Sequence, residues 1–428
     1  MFTQAYACNI SSATRCSLIT GVNNARHRVT NWTLERDKTT DRQSETVQLP
    51  DWNYNGVSQV EGTPNTFVGT SFVDLLRQSG YHTIHCGKAH FGSIDTPGEN
   101  PNHWGFEVNI AGHAAGGLAT YLSEKNYGHK RDGQPYSLMA IPGLENYWGT
   151  GVFATEALTR EAIKALDKAK KYNQPFYLYM SHYAIHIPID KDMRFYPKYL
   201  KKGLTEKEAA YASLIEGMDK SLGDLMDWLD KNDEADNTII IFMSDNGGIP
   251  NLPGGSSCAP LRGHKGREWD GGLRVPAVLC RKGRFAEGVR SEQLAAFVDM
   301  APTIAALVGA GEPPRPYDGV NLLPALTGET ASFPRDLYLG CGAAVSGDCK
   351  LILKGGSRAM QLKSDYLVYY PEDAYEAQNR IEEHAAEAER LRRYIIRYDT
   401  IRPAHPELPY GQGKEGFKAP AEWRVTKP

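Results

Sequence analysis

Ser11, Arg15, the pair Lys88 and His90, His186, and the neighbours Asp245 and Asn246 are residues whose types and spacing could do chemistry. Ser11 opens the stretch Ser11-Ser12-Ala13-Thr14-Arg15-Cys16-Ser17-Leu18-Ile19-Thr20-Gly21, where an extended segment should turn into a short helix. Its hydroxyl reads either as an N-cap acceptor for an orphaned backbone N–H or as a nucleophile at the positive end of a helix. Arg15 follows within one helical turn, so its guanidinium can return toward Ser11 and fix it. Lys88 and His90 lie one residue apart, past a strand end and beside Gly87. They therefore point to the same side, which suits an anion. His186 stands in a loop just ahead of Pro188. Ser244-Asp245-Asn246-Gly247 follows a β-branched run. Its Asp and Asn oxygens are the hard ligands calcium prefers, and the same residues also read as a turn.

Such residues act together only if distant segments meet at one face. Strand-like runs alternate with helix-like ones through most of the first three hundred residues, the pattern of a mostly parallel sheet covered on both faces. The spacing predicts helices over Phe72–Gly80, Val152–Lys170, Ala209–Leu229 and Asp299–Gly309, and strands over Tyr81–His85, Phe176–Met180 and Thr238–Met243. The fold class expected is α/β: a mostly parallel mixed sheet sandwiched by helices, with a smaller C-terminal α+β domain. Open sheets of this kind place ligands outside the carboxyl ends of their strands, where Lys88, His186 and Asp245 fall.

Composition shifts after the Pro- and Gly-rich segment Gly311–Gly319 and again near Pro334, so the expected division is residues 1–333 and 334–428. In the second part Leu337–Gly340, Lys350–Lys354, Ala359–Leu362 and Tyr366–Tyr370 read as strands of an antiparallel sheet. Asp373–Tyr398 reads as one amphipathic helix with the stripe Ala377, Ile381, Ala388, Leu391 and Ile395. After Pro403 the chain reads as an irregular surface segment. The seven cysteines lack C-x-x-C spacing, which argues against a zinc site or a disulfide framework; Cys341 and Cys349 flank a Gly-rich stretch and could close a hairpin in an oxidising compartment.

A net charge of -3 with mixed signs offers no broad basic surface, so nucleic acid is not an expected partner and any anion site must be local. No apolar run approaches the ~18 residues or more of a membrane span.

The Ser11–Gly21 string resembles the sulfatase signature, in which a Cys or Ser is followed by a variable residue, Pro or Ala, Ser or Thr, and Arg, and the motif ends on Thr-Gly. Four further segments match the same family in order. Gly80-Tyr81-His82-Thr83 with Gly87-Lys88-Ala89-His90 is similar to its Gly-Tyr-x-Thr and Gly-Lys-x-His element. Ser181-His182-Tyr183-Ala184-Ile185-His186-Ile187-Pro188 is similar to its Asn-Ala-Pro-His-x-Pro, with Ile185 in place of the proline. Asp245 and Asn246 match its metal-binding pair. Leu261-Arg262-Gly263-His264-Lys265-Gly266 resembles its sulfate-binding lysine element, with Trp269-Asp270 where an aromatic and Glu are usual. The likeness runs from Met1 to about Pro334 and fades at Asp348-Cys349-Lys350, where the family often has Asp-Trp-Lys.

The resemblance implies an alkaline-phosphatase-like fold and hydrolysis of sulfate esters, here of a sulfated small molecule or glycan. It implies that a maturase oxidises Ser11 to formylglycine. Arg15, Lys88, His90 and Lys265 would surround the sulfate, and His186 would protonate the leaving oxygen. Calcium would be held by the residue at Ser11, by Asp245 and by Asn246, with two aspartates from a strand that precedes the lead-in Phe2-Thr3-Gln4-Ala5-Tyr6. That pair is not in the chain given, so the metal set is expected to be incomplete. The expectation is that the chain starts after this strand and after a signal for the periplasm or secretion; a degenerate relative is the alternative. Competing readings are a phosphate or phosphonate ester hydrolase of the same superfamily, or a catalytically silent anion- or glycan-binding relative.

Overall fold

A strand that is apolar on both faces has to be covered on both, and this requirement organises the first three hundred residues. The computed structural model describes residues 1–37, 55–250, 252, 256–311, 313, 315–355 and 360–401. The N-terminal part contains β1 (Ala5–Tyr6), α1 (Ser11–Thr20), α2 (Phe72–Gln78), β2 (His82–Gly87), β3 (Val108–Ile110), α3 (Ala154–Lys171) and β4 (Phe176–Ser181). It continues with α4 (Glu206–Lys231), β5 (Ile240–Met243), β6 (Ala277–Cys280), β7 (Ala295–Ala296) and α5 (Met300–Val308). β2 is wholly buried and pairs in parallel with β3 on one side and β4 on the other, in the register Ile84↔Val108 and Ile84↔Leu178. β1 and β7 are also parallel, whereas β5 and β6 are antiparallel.

Side-chain alternation along β4 sorts the two cores. Tyr177 and Tyr179 pack with Phe72, Leu76, Phe91 and Phe106 on one face, while Phe176, Leu178 and Met180 pack with Leu158, Leu166 and Trp228 on the other. β5 divides in the same way, with Ile241 and Met243 in the first core and Ile240 in the second. Among the described residues, β4 pairs only with β2 and β5 only with β6, so each has one edge without a strand partner.

The helices form where the apolar spacing places them. α3 buries Ala154, Leu158, Ala162, Leu166 and Ala169, one face of its 3.6-residue period, against the second core. α4 begins three residues earlier than the apolar pattern because Thr205 and Glu208 form a reciprocal capping box. α5 ends at Gly309, whose φ of 64° closes it in the left-handed conformation.

The C-terminal part is an antiparallel sheet of β8 (Asp336–Gly340), β9 (Ala343–Ser346), β10 (Cys349–Ile352) and β11 (Tyr366–Tyr369), covered by α6 (Ala385–Asp399). Two expectations need correction here. β9 replaces the Gly-rich loop expected between Cys341 and Cys349: two alanines with weak strand preference are held by pairing on both sides. The Cys349 thiol is free, and no Cys341–Cys349 bridge forms. Residues 360–362 are not a strand, and the rest of Ala359–Leu362 lies outside the described residues, as does the segment after Pro403.

The helix expected from Asp373 starts only at Ala385. The Asp373 carboxylate accepts from the N–H groups of Tyr375 and Gln378, and Glu376 adopts φ 60°, so local side-chain bonds displace the helix. Ala388, Leu391 and Ile395 are buried from the helix as the stripe requires, while Ile381 packs on the same core from the turns before it.

The two parts meet at a buried knot of charge. Lys350 Nζ on β10 lies 2.7 Å from Asp270 Oδ1 and 2.7 Å from Glu376 Oε1. The Asp270 N–H donates to Glu376 Oε2 at 2.7 Å, and the Tyr370 hydroxyl reaches Asp270 at 3.0 Å. Among the described residues no helix is long and apolar enough to cross a membrane.

Candidate active site

α1 presents Ser11 at its first turn, with Ile10 as the N-cap and no side-chain cap bond. The hydroxyl of Ser11 is therefore not engaged in capping. It lies 3.4 Å from His90 Nδ1. The helix is held from its polar positions, Ser12 Oγ donating to Asn31 O at 2.8 Å and Thr14 Oγ1 to Asp245 O at 2.6 Å. Gly21, at φ 69°, closes its C-terminus.

The turn after β2 brings the first basic pair to Ser11. Gly87 has φ 101°, and a Cβ there would overlap Ser181 O, the atom that accepts the Lys88 N–H at 2.7 Å. His90 has φ 59°, a left-handed conformation uncommon for a residue with a side chain. Its Nε2 lies 2.9 Å from Thr33 O and must donate to that carbonyl, which leaves the Nδ1 lone pair facing the Ser11 hydroxyl. Burial first, then the charges of Lys88 and Arg15, hold His90 well below the usual histidine range. It is a neutral acceptor.

Asp245 is the centre of the charge cluster. Arg15 Nε donates to Asp245 Oδ2 at 2.9 Å, and Lys88 Nζ reaches the same oxygen at 3.2 Å. Arg15 does not return onto Ser11 as its spacing suggested. Its Nη1 instead donates to Lys88 O at 2.8 Å, to the Tyr179 hydroxyl at 3.2 Å and to Ser181 Oγ, so it ties the two strand ends to Asp245. Burial would raise the Asp245 pKa, but Lys88, Arg15 and Lys265 outweigh it and hold the carboxylate well below its ordinary range. Burial, opposed by Asp245 and reinforced by Arg15 and Lys265, pushes Lys88 down to about 7.

Lys265 sits within electrostatic reach of Asp245 and Arg15, and burial lowers its pKa. Its loop is pinned by the Lys265 N–H to Gly248 O and the Gly266 N–H to Asn9 O, both 2.9 Å. Among the described residues its ammonium makes no hydrogen bond or ion pair. Three cations thus lie within electrostatic reach of one carboxylate, two of them paired with it. The surplus positive charge is what an anion site requires.

His186 faces the same cluster from the loop after β4. Its Nδ1 lies 2.9 Å from Ile187 O and donates to it, leaving Nε2 as the open nitrogen. Burial and the nearby charges of Lys88 and Lys265 push its pKa down to about 4. An anion between these groups opposes the two lysines and favours protonation of His186.

The six predicted residues Ser11, Arg15, Lys88, His90, His186 and Lys265 thus come together around Asp245. Metal ligation is a different matter. Asn246 Oδ1 is buried without a partner, which fits a hard cation, but Asp245 is already paired with Arg15 and Lys88. No cluster of three His, Cys, Asp or Glu side chains able to hold a metal exists among the described residues. Calcium takes about six to eight oxygens, and Ser11, Asp245 and Asn246 do not supply them. These residues by themselves do not fit the ion.

Residues that sequence reasoning passed over complete the arrangement. Ser181 clamps Arg15 from the last position of β4, a strand end where the crevice rule would have directed attention. Asn9 Nδ2 donates to Glu268 Oε1 at 2.7 Å and joins the segment before Ser11 to the Lys265 loop. The carbonyl of Thr33 had no sequence signal, since any residue supplies one.

The sulfatase family profile matches residues 1–310. The chain belongs to the sulfatase family. A sulfatase of Escherichia coli K12, YdeN, whose own function is uncharacterized, is 28% identical over 300 residues, covering 64% of this chain and 49% of the relative. A sulfatase of Formosa agariphila is 29% identical over 282 residues, covering 57% of this chain and 50% of the relative. This sulfatase chain thus spans about half the length of these two curated relatives. The crystal structure of Ps i-CgsB in complex with k-i-k-neocarrahexaose superposes with a TM-score of 0.73 at 25% identity, covering 94% of this chain and 84% of that one. The sulfatase fold, with its C-terminal antiparallel sheet, is therefore shared along nearly the whole chain.

Proposed function

We propose that this sulfatase chain hydrolyses sulfate esters of carbohydrates, with position 11 as the nucleophile after oxidation of Ser11 to formylglycine by a maturase. The observation that carries the reading is the surplus of cations, Arg15, Lys88 and Lys265 around the single carboxylate of Asp245, beside a buried hydroxyl at a helix N-terminus. A sulfate ester, an anion with three charge-bearing oxygens, suits that positive surplus. The sugar is suggested by the neocarrahexaose bound in the structural relative.

The chain's own groups have separable tasks. Lys88 and Lys265 neutralise the sulfate oxygens as charge builds in the transition state. Arg15 positions Lys88 and Asp245 and does not itself touch Ser11. His90 Nδ1 accepts the proton of the hydroxyl at position 11. His186 Nε2, protonated when the anion is bound, gives its proton to the departing sugar oxygen. Formylglycine at position 11 would supply a hydrated aldehyde, whose second hydroxyl offers a route to turnover that serine lacks.

The test is expression with a maturase competent on serine, followed by mass spectrometry of the peptide around Ser11 and assay of sulfate release from sulfated oligosaccharides. A loss of two hydrogens with sulfate release is expected. Intact serine, or faster turnover of phosphonate or phosphate esters than of sulfates, would overturn the proposal. A second reading rests on the shortage of oxygen donors around Asp245: an anion-binding relative without turnover. Sulfate binding without release in the same experiment selects it.

A further inference from the structure

Two adjacent glycines lie against two different histidines of the site. A Cβ at Gly117 would stand 2.8 Å from His186 Cε1 and 2.9 Å from its Nδ1, and one at Gly116 would stand 2.1 Å from His90 Cε1 and 2.3 Å from its Nδ1. Neither glycine has a positive φ, so backbone conformation alone would admit alanine at both positions. Space is what excludes it. The same segment is bonded to both histidine-bearing loops. The His90 N–H donates to His113 O at 3.3 Å, and the buried Tyr183 hydroxyl donates to Ala111 O at 2.8 Å. The fully buried Tyr121 donates to Tyr183 O and His186 O at 3.0 and 2.9 Å. Thr120 Oγ1 and the Tyr121 N–H both reach Asp190 Oδ2 at 2.8 Å, closing the far end of the His186 loop.

We propose that the segment Ala111–Tyr121 is a template that sets the two histidines for catalysis, with Gly116 positioning His90 and Gly117 positioning His186. The proposal rests on the sulfatase reading for the tasks of the two rings. Because those tasks differ, the two glycines separate in kinetics. His90 acts on the nucleophile, whatever the leaving group. His186 acts on the leaving oxygen, so its displacement matters for a sugar alcohol and little for an acidic phenol.

The experiment compares G116A and G117A with the unaltered, matured protein on a sulfated oligosaccharide and on 4-nitrophenyl sulfate. G117A is expected to lower kcat on the oligosaccharide about 100-fold and on the aryl ester no more than about threefold. G116A is expected to lower kcat on both by about 100-fold, since small displacements of a reacting group are costly. Thermal unfolding accompanies each assay. H90A and H90A/G116A are then compared: if Gly116 acts through the His90 ring, the added Cβ costs nothing once the ring is gone. A G116A that fails to fold while H90A/G116A folds supports the proposal, because the clash is with the ring. Failure of both to fold, equal losses on the two substrates for G117A, or unaltered kcat in both glycine variants would overturn it. An unaltered protein that releases no sulfate after maturation speaks against the sulfatase reading itself and is read before any variant.

Discussion

The protein buries two lysines in clusters of opposite design. Lys350, fully buried in the knot between the two parts of the chain, has Asp270 and Glu376 within 2.7 Å. Burial lowers its pKa, but the two carboxylates more than compensate and raise it. Lys88, also buried, shares the one carboxylate of Asp245 with Arg15 and lies near Lys265, and it is pushed down to about 7. The residue type and burial are the same. The number of opposite charges differs: the knot is satisfied from within, whereas the cradle at Ser11 carries an excess of positive charge. On the function proposed above, stability belongs to the first and binding to the second.

The comparison is broken most directly by removing each lysine. Lys350→Met leaves Asp270 and Glu376 buried without their cation and is expected to cost about 3–5 kcal/mol of stability, read by urea unfolding. Lys265→Ala removes a cation that burial disfavours and that has no ion pair of its own among the described residues. It is expected to leave the unfolding midpoint unchanged or raise it, while kcat/KM for sulfate esters falls by about 10²–10³. A loss of stability in Lys265→Ala comparable to that in Lys350→Met would end the distinction.

Inorganic sulfate sharpens it. Bound only by the folded cradle, sulfate at about 100 times its Kd should add about 2.7 kcal/mol of stability, with most of the gain absent in Lys265→Ala. Calcium is expected to raise Tm less than sulfate does, because the cradle offers it a single carboxylate already paired with Arg15 and Lys88. Scanning calorimetry with each ion is the measurement, and a larger shift with calcium would contradict the account of the cradle.

A separate effect concerns histidines outside both clusters. His27 and His85 are completely buried, and burial first, then the neighbouring Arg28 for His27 and Arg15 for His85, pushes each to about 3. Below the unfolded value of about 6.5 the unfolded state takes up protons that the folded state refuses. Stability present above that pH is therefore lost as pH falls toward 3, by up to about 1.4 kcal/mol per pH unit for each group. Unfolding midpoints at pH 7.5 and pH 5 check the sign. Equal midpoints would mean that these rings are not held neutral.

Much of the site was legible because its groups lie at strand ends and helix starts, where local sequence carries turn residues and polar punctuation. The Lys88 and His90 pair was marked by Gly87, and Asp245 by the apolar run of β5. The role of Arg15 was not legible. Helical spacing aimed it at Ser11, and only the packing of β4 beside β2 supplied Ser181, Tyr179 and the Lys88 carbonyl, which took its donors instead. The start of α6 was misread for a related reason: Asp373 and Glu376 had better partners than a helix could offer, one in local backbone N–H groups and the other in Lys350, 26 residues away.

Taken alone, the sequence determined the alternation of helices and strands, the family motifs, and which side chains could act, because periodicity and residue chemistry are properties of short segments. Tertiary structure decided which charges share a partner. That is a matter of distance between groups remote in the chain, and it makes Lys350 part of a closed knot and Lys88 part of an open cradle. The same close packing placed Gly116 and Gly117 against His90 and His186, since whether a glycine is required by its backbone or by its neighbours is settled by the space around it.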